Sequence, residues 1–158
     1  MKRNCAVTYN LNLAHAVHSG VVSRNPRIQQ PRIFVLDDQP TIADSIAAIL
    51  RTRDYEAHAC YTSAALLDLA SELTPDLLLA DVALDPNSIN GIEVAIYVQR
   101  FHPKCRIILI SGNPNSYDLH RRARLEGHEF LLLAKPIPPD KLLDVVAEEL
   151  GDSDERAA

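Results

Sequence analysis

The stretch FVLDDQP, residues 34–40, joins an apolar run to two adjacent carboxylates and a proline. Two like charges side by side at the end of a buried strand repel each other. Such a pair is tolerated when a cation sits beside it, when water covers it, or when one member stays protonated. Upstream, the run RIFVL is short and β-branched, as a buried strand is. Downstream, Ile42, Ile46, Ile49 and Leu50 recur at helical spacing, with Thr41 expected as the N-cap. A strand, an acidic end and a helix form one unit.

That unit returns along the chain. A short strand is expected over residues 56–59 with a helix over 63–73, and Pro75 then breaks the chain. DLLLADV precedes a helix over 91–101, RIILISG precedes a polar helix over 116–125, and FLLLAKP precedes an amphipathic helix over 139–150. Strands that are apolar on both faces, each followed by a helix, argue for a parallel sheet covered on both sides. Five such units predict an α/β fold: a doubly wound (βα)5 flavodoxin-like parallel sheet with strand order 2-1-3-4-5. Residues 1–31 have no clean apolar period and are expected to form a flexible extension to one domain over 32–150. Residues 151–158 read as a polar tail.

The totals narrow the function classes. At 158 residues, 47% hydrophobic and 23% charged, the chain can bury a real core. A formal net charge of −5 supplies no global attraction to nucleic acid or anionic membrane. No apolar run approaches the roughly 20 residues of a membrane span, and the N-terminus lacks the continuous apolar core of a secretory signal. Cys5, Cys60 and Cys105 are scattered without a CxxC, which fits reduced thiols in the cytoplasm. Cys60 and Cys105 read as small buried apolar residues rather than redox centres. His15 and His18 lie three apart but lack partners with ligand spacing, and Arg121, Arg122 and Arg124 read as a solvated helix face.

In an open α/β sheet, ligands sit beyond the carboxyl ends of the strands, and right-handed crossovers bring those ends to one edge. The residues there are Asp37 and Asp38, Asp81, Ser111 and Lys135. Three carboxylates call for a hard divalent cation, commonly Mg²⁺, which keeps waters and leaves room for a phosphoryl oxygen. A lysine and a hydroxyl would hold the other phosphoryl oxygens. The central carboxylate, Asp81, is the natural nucleophile, since aspartate can carry an acyl phosphate.

The ordered set VLDD, LLADV, LISG and AKP, each piece at a strand end, resembles the receiver (REC, CheY-like) domain of bacterial two-component response regulators, over residues 32–150. The resemblance implies that Asp81 accepts a phosphoryl group from a sensor histidine kinase or histidine phosphotransfer protein. It implies Mg²⁺ on Asp37, Asp38 (the more direct of the two), Asp81 and the backbone carbonyl of Ala83. Ser111 would bond a phosphoryl oxygen and shift on activation, Lys135 would pair with the phosphoryl group, and the bond before Pro136 would be cis. Homodimerisation through helix 4, strand 5 and helix 5 is common in the family.

Two features depart from the family's pattern. The loop VALDPNSINGIE is enlarged beside Asp81, with Asp85 before Pro86 and Gly91 about two positions late. Asp85 either alters metal affinity or faces water, and the solvated reading is preferred. The family's switch aromatic, three residues before the lysine, is Leu132 here. Phe130 lies two residues earlier on the same strand face, so either a shifted aromatic switch or none operates.

Eight residues follow Leu150. The leading expectation is therefore a single-domain response regulator that signals to a downstream protein by contact, or a phosphate shuttle. A receiver fragment of a larger regulator and a phosphate-independent binding module are the alternatives. No separate enzymatic substrate is expected. An aspartate-nucleophile phosphatase of the haloacid dehalogenase type needs a second carboxylate two residues after the nucleophile, where this chain has Ala83.

Overall fold

The structure, a computed structural model, describes residues 30–113 and 116–151. All but Gln30 and Pro31 of the expected extension, and all but Gly151 of the tail, lie outside the described residues. Five strands and five helices alternate: β1 (Arg32–Leu36), α1 (Pro40–Arg51), β2 (Glu56–Cys60), α2 (Ser63–Glu72), β3 (Leu77–Asp81), α3 (Gly91–Phe101), β4 (Arg106–Ser111), α4 (Ser116–Leu125), β5 (Leu131–Ala134) and α5 (Pro139–Leu150). All pairings are parallel, in the order β2-β1-β3-β4-β5. The expected fold class and strand order are both found.

Alternation along the strands explains why helices cover both faces. Ile33, Val35, Leu77, Leu79, Ile108 and Ile110 point to one side, where Ala43, Ala47 and Leu50 of α1 and Leu142, Leu143 and Val146 of α5 meet them. Phe34, Leu36, Leu78, Ala80 and Leu109 point to the other, against Leu66 of α2, Val94 and Val98 of α3 and Ala123 of α4. Leu77, Leu78 and Leu79 are wholly buried. Each such leucine stabilises the fold by roughly 1.5–3 kcal/mol relative to exposure.

Local signals set the helix starts. Thr41 is not the N-cap of α1. That place belongs to Gln39, and Pro40 occupies the first helical position, where a missing N–H costs nothing. Thr62 caps α2 by accepting from the Ala65 N–H. At α3 the Asn90 side chain accepts from Ile92 and Glu93 N–H groups, while Glu93 accepts from the Asn90 N–H. This capping box fixes the end of the enlarged loop.

The end of the sheet remote from the acidic edge is tied by Arg32. Its guanidinium makes a forked pair with Glu56, Nε to Oε1 at 2.9 Å and Nη2 to Oε2 at 3.1 Å, and also donates to the Thr74 carbonyl. The Arg32 hydrogen bond, then that of His58, holds the Glu56 carboxyl below its ordinary 4.5. A depressed carboxyl stabilises the fold above its unfolded value and loses that contribution as pH falls through the folded one. Glu56 is partly exposed, so solvent screens the pair. Arg32→Ala is expected to cost about 1 kcal/mol at pH 7, lowering the melting temperature by a few degrees. In parallel melts of the two proteins, that gap should shrink below pH 4.

Candidate phosphoryl site

The acidic edge gathers the strand ends as expected. Asp37 and Asp38 follow β1, Asp81 ends β3, Ser111 ends β4, and Lys135 follows β5. Asp37 and Asp81 are buried and Asp38 is exposed. Each of the three offers a carboxylate oxygen within 4.8 Å of the others. Lys135 Nζ donates to Asp37 Oδ2 at 2.7 Å and lies 3.1 Å from Asp81 Oδ2. The remaining oxygens bind backbone: Asp37 Oδ1 accepts from the Gln39 N–H at 3.0 Å, and Asp81 Oδ1 from the Ala83 N–H at 3.3 Å. Of the adjacent carboxylates at 37 and 38, the first takes the lysine as its cation and the second is exposed to water. The lysine matches only one charge of three.

Electrostatics follow from that imbalance. Burial is the largest influence on Asp81 and pushes its carboxyl above the usual range. Lys135 pulls it down, Asp37 pushes it up further, and the net shift is upward. Burial alone would lower Lys135, but its hydrogen bonds and charge contacts with Asp37 and Asp81 outweigh that and raise it. Asp81 is therefore a desolvated, relatively basic carboxylate held beside a firmly protonated amine.

Not every candidate joins the cluster. The Ser111 hydroxyl bonds within its own loop, with Ser116 Oγ at 2.6 Å and the Asn113 N–H at 3.0 Å. Phe130 precedes β5 rather than opening it, and its ring is buried with the core of the α2–α3–α4 layer, stacked on His128. Leu132 packs against the same core. The bond between Lys135 and Pro136 is cis. Asp85 is exposed and turns inward on its own loop, where its carboxylate accepts from the Asn87 N–H at 2.8 Å. Burial pushes the Cys60 thiol up to about 11 and the Cys105 thiol to about 12, so both stay protonated. Arg121, Arg122 and Arg124 are exposed, and His15 and His18 lie outside the described residues. Ser116 is legible only as part of the turn-rich run SGNPNS, and nothing in that run tells that its two serines meet.

Comparison with known proteins decides the family. The model of the response regulator receiver domain matches residues 33–147. This chain belongs to the receiver family. The chain is 25% identical over 118 residues to the nitrogen assimilation regulatory protein NtrX of Azorhizobium caulinodans, covering 75% of this chain and 26% of the relative. It is 26% identical over 127 residues to the DNA-binding response regulator MtrA of Mycolicibacterium smegmatis, covering 80% and 54%. The receiver of this chain thus spans about a quarter to a half of these relatives. Among solved structures, the receiver domain of NtrX from Brucella abortus superposes with a TM-score of 0.67 at 26% identity, covering 77% of this chain and 99% of that one. No helix among the described residues of this receiver is long and apolar enough to cross a membrane.

Proposed function

We propose that this receiver accepts a phosphoryl group on Asp81 from a histidine kinase or histidine phosphotransfer protein. The observation that carries the reading is the arrangement at Asp81: one oxygen held by a backbone N–H, the other beside Lys135, and two further carboxylates within reach. A carboxylate oxygen of Asp81 attacks phosphorus, the P–N bond of the phosphohistidine donor breaks, and the departing imidazole takes up a proton. Lys135, already charged, turns from the carboxylates to the incoming phosphoryl oxygens, and Ser111 donates to another.

The donor set is hard oxygen, and exposed Asp38 leaves one side open to water, which suits Mg²⁺. Asp37, Asp38, Asp81 and the Ala83 carbonyl would hold it, and when bound it supplies neutralisation of phosphoryl charge. The donor protein has a place to dock beside Lys135. A groove of about 530 Å³ runs between α1 and the start of α5, lined by Ile42, Ile46, Ile49, Pro136 and Ile137. Output passes to a downstream protein, and self-association through α4, β5 and α5 is supported by Leu125 and Leu131, which stand exposed there.

A second reading, the receiver part of a larger regulator, is favoured by the chain's short coverage of NtrX and MtrA. Both readings place the phosphoryl group on Asp81. Peptide mapping after incubation with acetyl phosphate and Mg²⁺ should locate one adduct at residue 81, labile to hydroxylamine as acyl phosphates are. An adduct on a histidine or serine instead would refute the assignment.

A further inference from the structure

The Ser111 hydroxyl is the group most exposed to conflict between its present bonds and its role at the phosphoryl site. A hydroxyl has one proton to donate. In the structure two acceptors stand within reach of that proton, Ser116 Oγ at 2.6 Å and, at a longer 3.3 Å, the Asn113 carbonyl. Both serines are buried, Ser111 at 6% exposure and Ser116 at 3%. Ser116 is also the first residue of α4, and its own N–H donates to the Asn113 carbonyl. The hydroxyl bond therefore joins the end of β4 directly to the start of α4.

Aromatic residues leave little else to carry a signal across this edge. Position 132 is leucine, and the Phe130 ring is already inside the core, with its carbonyl held by His120 Nε2 at 2.7 Å. An inward rotation of Phe130 has no outward starting point.

We propose that Ser116 is a latch on Ser111. In the unphosphorylated receiver it holds the Ser111 proton away from the phosphoryl site and pins the first turn of α4. When a phosphoryl oxygen arrives on Asp81, Ser111 exchanges one acceptor for the other, and the turn of α4 that begins at Ser116 is released. The inference rests on the proposal that Asp81 is the phosphoryl acceptor. Ser116 is a positioning residue, since it acts only through Ser111.

The latch has a definite sign. With the competing acceptor removed, the phosphoryl state becomes easier to reach. A buried hydroxyl bond of this kind changes an equilibrium by roughly 2- to 10-fold. Beryllofluoride with Mg²⁺, a tetrahedral stand-in for the phosphoryl group, is the probe. Ser116→Ala is expected to bind it roughly 2- to 10-fold more tightly than wild type, and Ser116→Thr, which keeps the hydroxyl, to bind like wild type. In a Ser111→Ala background the Ser116→Ala effect should vanish, which a merely structural role at the helix start would not produce. Circular dichroism confirms that each variant is folded. Wild type that binds beryllofluoride while Ser116→Ala binds equally or more weakly overturns the latch alone. Persistence of the Ser116→Ala effect without Ser111 also overturns it. Wild type that binds no beryllofluoride overturns the phosphoryl reading, and the latch with it.

Discussion

Lys135→Ala is expected to lower stability by about 2–3 kcal/mol at pH 7 and to slow phosphoryl acceptance on Asp81 by roughly 100-fold. Lys135 is the one cation within ion-pairing distance of both Asp37 and Asp81 among the described residues. Removing one partner of a buried ion pair leaves an uncompensated charge, at a cost of about 3–5 kcal/mol when burial is complete. Here the lysine side chain keeps 22% of its surface exposed, so water reaches the gap and the cost is smaller. The pH dependence separates the electrostatic cause from lost packing. In the wild type the raised lysine contributes fully below its ordinary 10.5 and loses that contribution only as pH rises through its folded value. In the variant the buried Asp81 carboxyl lacks its cation, so its penalty is present at neutral pH and fades as it protonates on acidification. Denaturant melts of both proteins at pH 7.5 and pH 4.5 should show the gap narrowing in acid. A gap of equal size at both would mean that the lysine stem, not its charge, stabilises the edge.

Gly91→Ala is the second large effect, and it is steric. A Cβ at Gly91 would sit 2.0 Å from the Asp81 carbonyl oxygen and 2.8 Å from the Asp81 carbonyl carbon. Both atoms are backbone and cannot swing aside. The start of α3 would have to lift off the end of β3, opening the contact that buries Ile92 and Val94. Overpacking of this kind costs about 3 kcal/mol, which lowers the melting temperature by roughly 10 °C in a domain of this size. Because the displaced backbone belongs to Asp81, the surviving folded protein should also accept phosphoryl more slowly. Full stability of Gly91→Ala by calorimetry would show that the enlarged loop lets α3 shift freely. The glycine that reads as late in the sequence is thus placed by contact with the backbone of Asp81, the proposed phosphoryl acceptor, and the extra loop residues bulge before it.

The sheet was legible because strands paired on both sides are apolar throughout. Leu77–Leu79 and Ile107–Ile110 are apolar on both faces, and Asp81 and Ser111, just beyond these runs, end their strands at the acidic edge. The edge strand β2 is weaker in the sequence, since EAHAC is only half covered, and its end at Cys60 fell one residue past the expected span. The start of α1 differs from the expected one because Thr41 is a good cap by residue type only. Proline's fixed φ and missing donor took the first helical position and moved the cap to Gln39. Within the site, Asp37, Asp38, Asp81, Ser111 and Lys135 were legible because each stands at a strand end. The partners of their oxygens were not. That Lys135 bonds Asp37 as well as Asp81, that Asp85 turns on its own loop, and that Ser111 meets Ser116 all depend on loop closure. No pattern of spacing encodes that closure.

The central claim is that Asp81 carries a phosphoryl group. Its most direct test is the intact mass of wild type and Asp81→Asn after incubation with acetyl phosphate, with Mg²⁺ and with EDTA. One adduct of about 80 Da on the wild type, present with Mg²⁺ and absent in EDTA and in the variant, is the predicted result for an acyl phosphate. An unchanged wild-type mass with acetyl phosphate and with a phosphoramidate donor would contradict it, and the acidic edge would then be a binding surface that no phosphate controls.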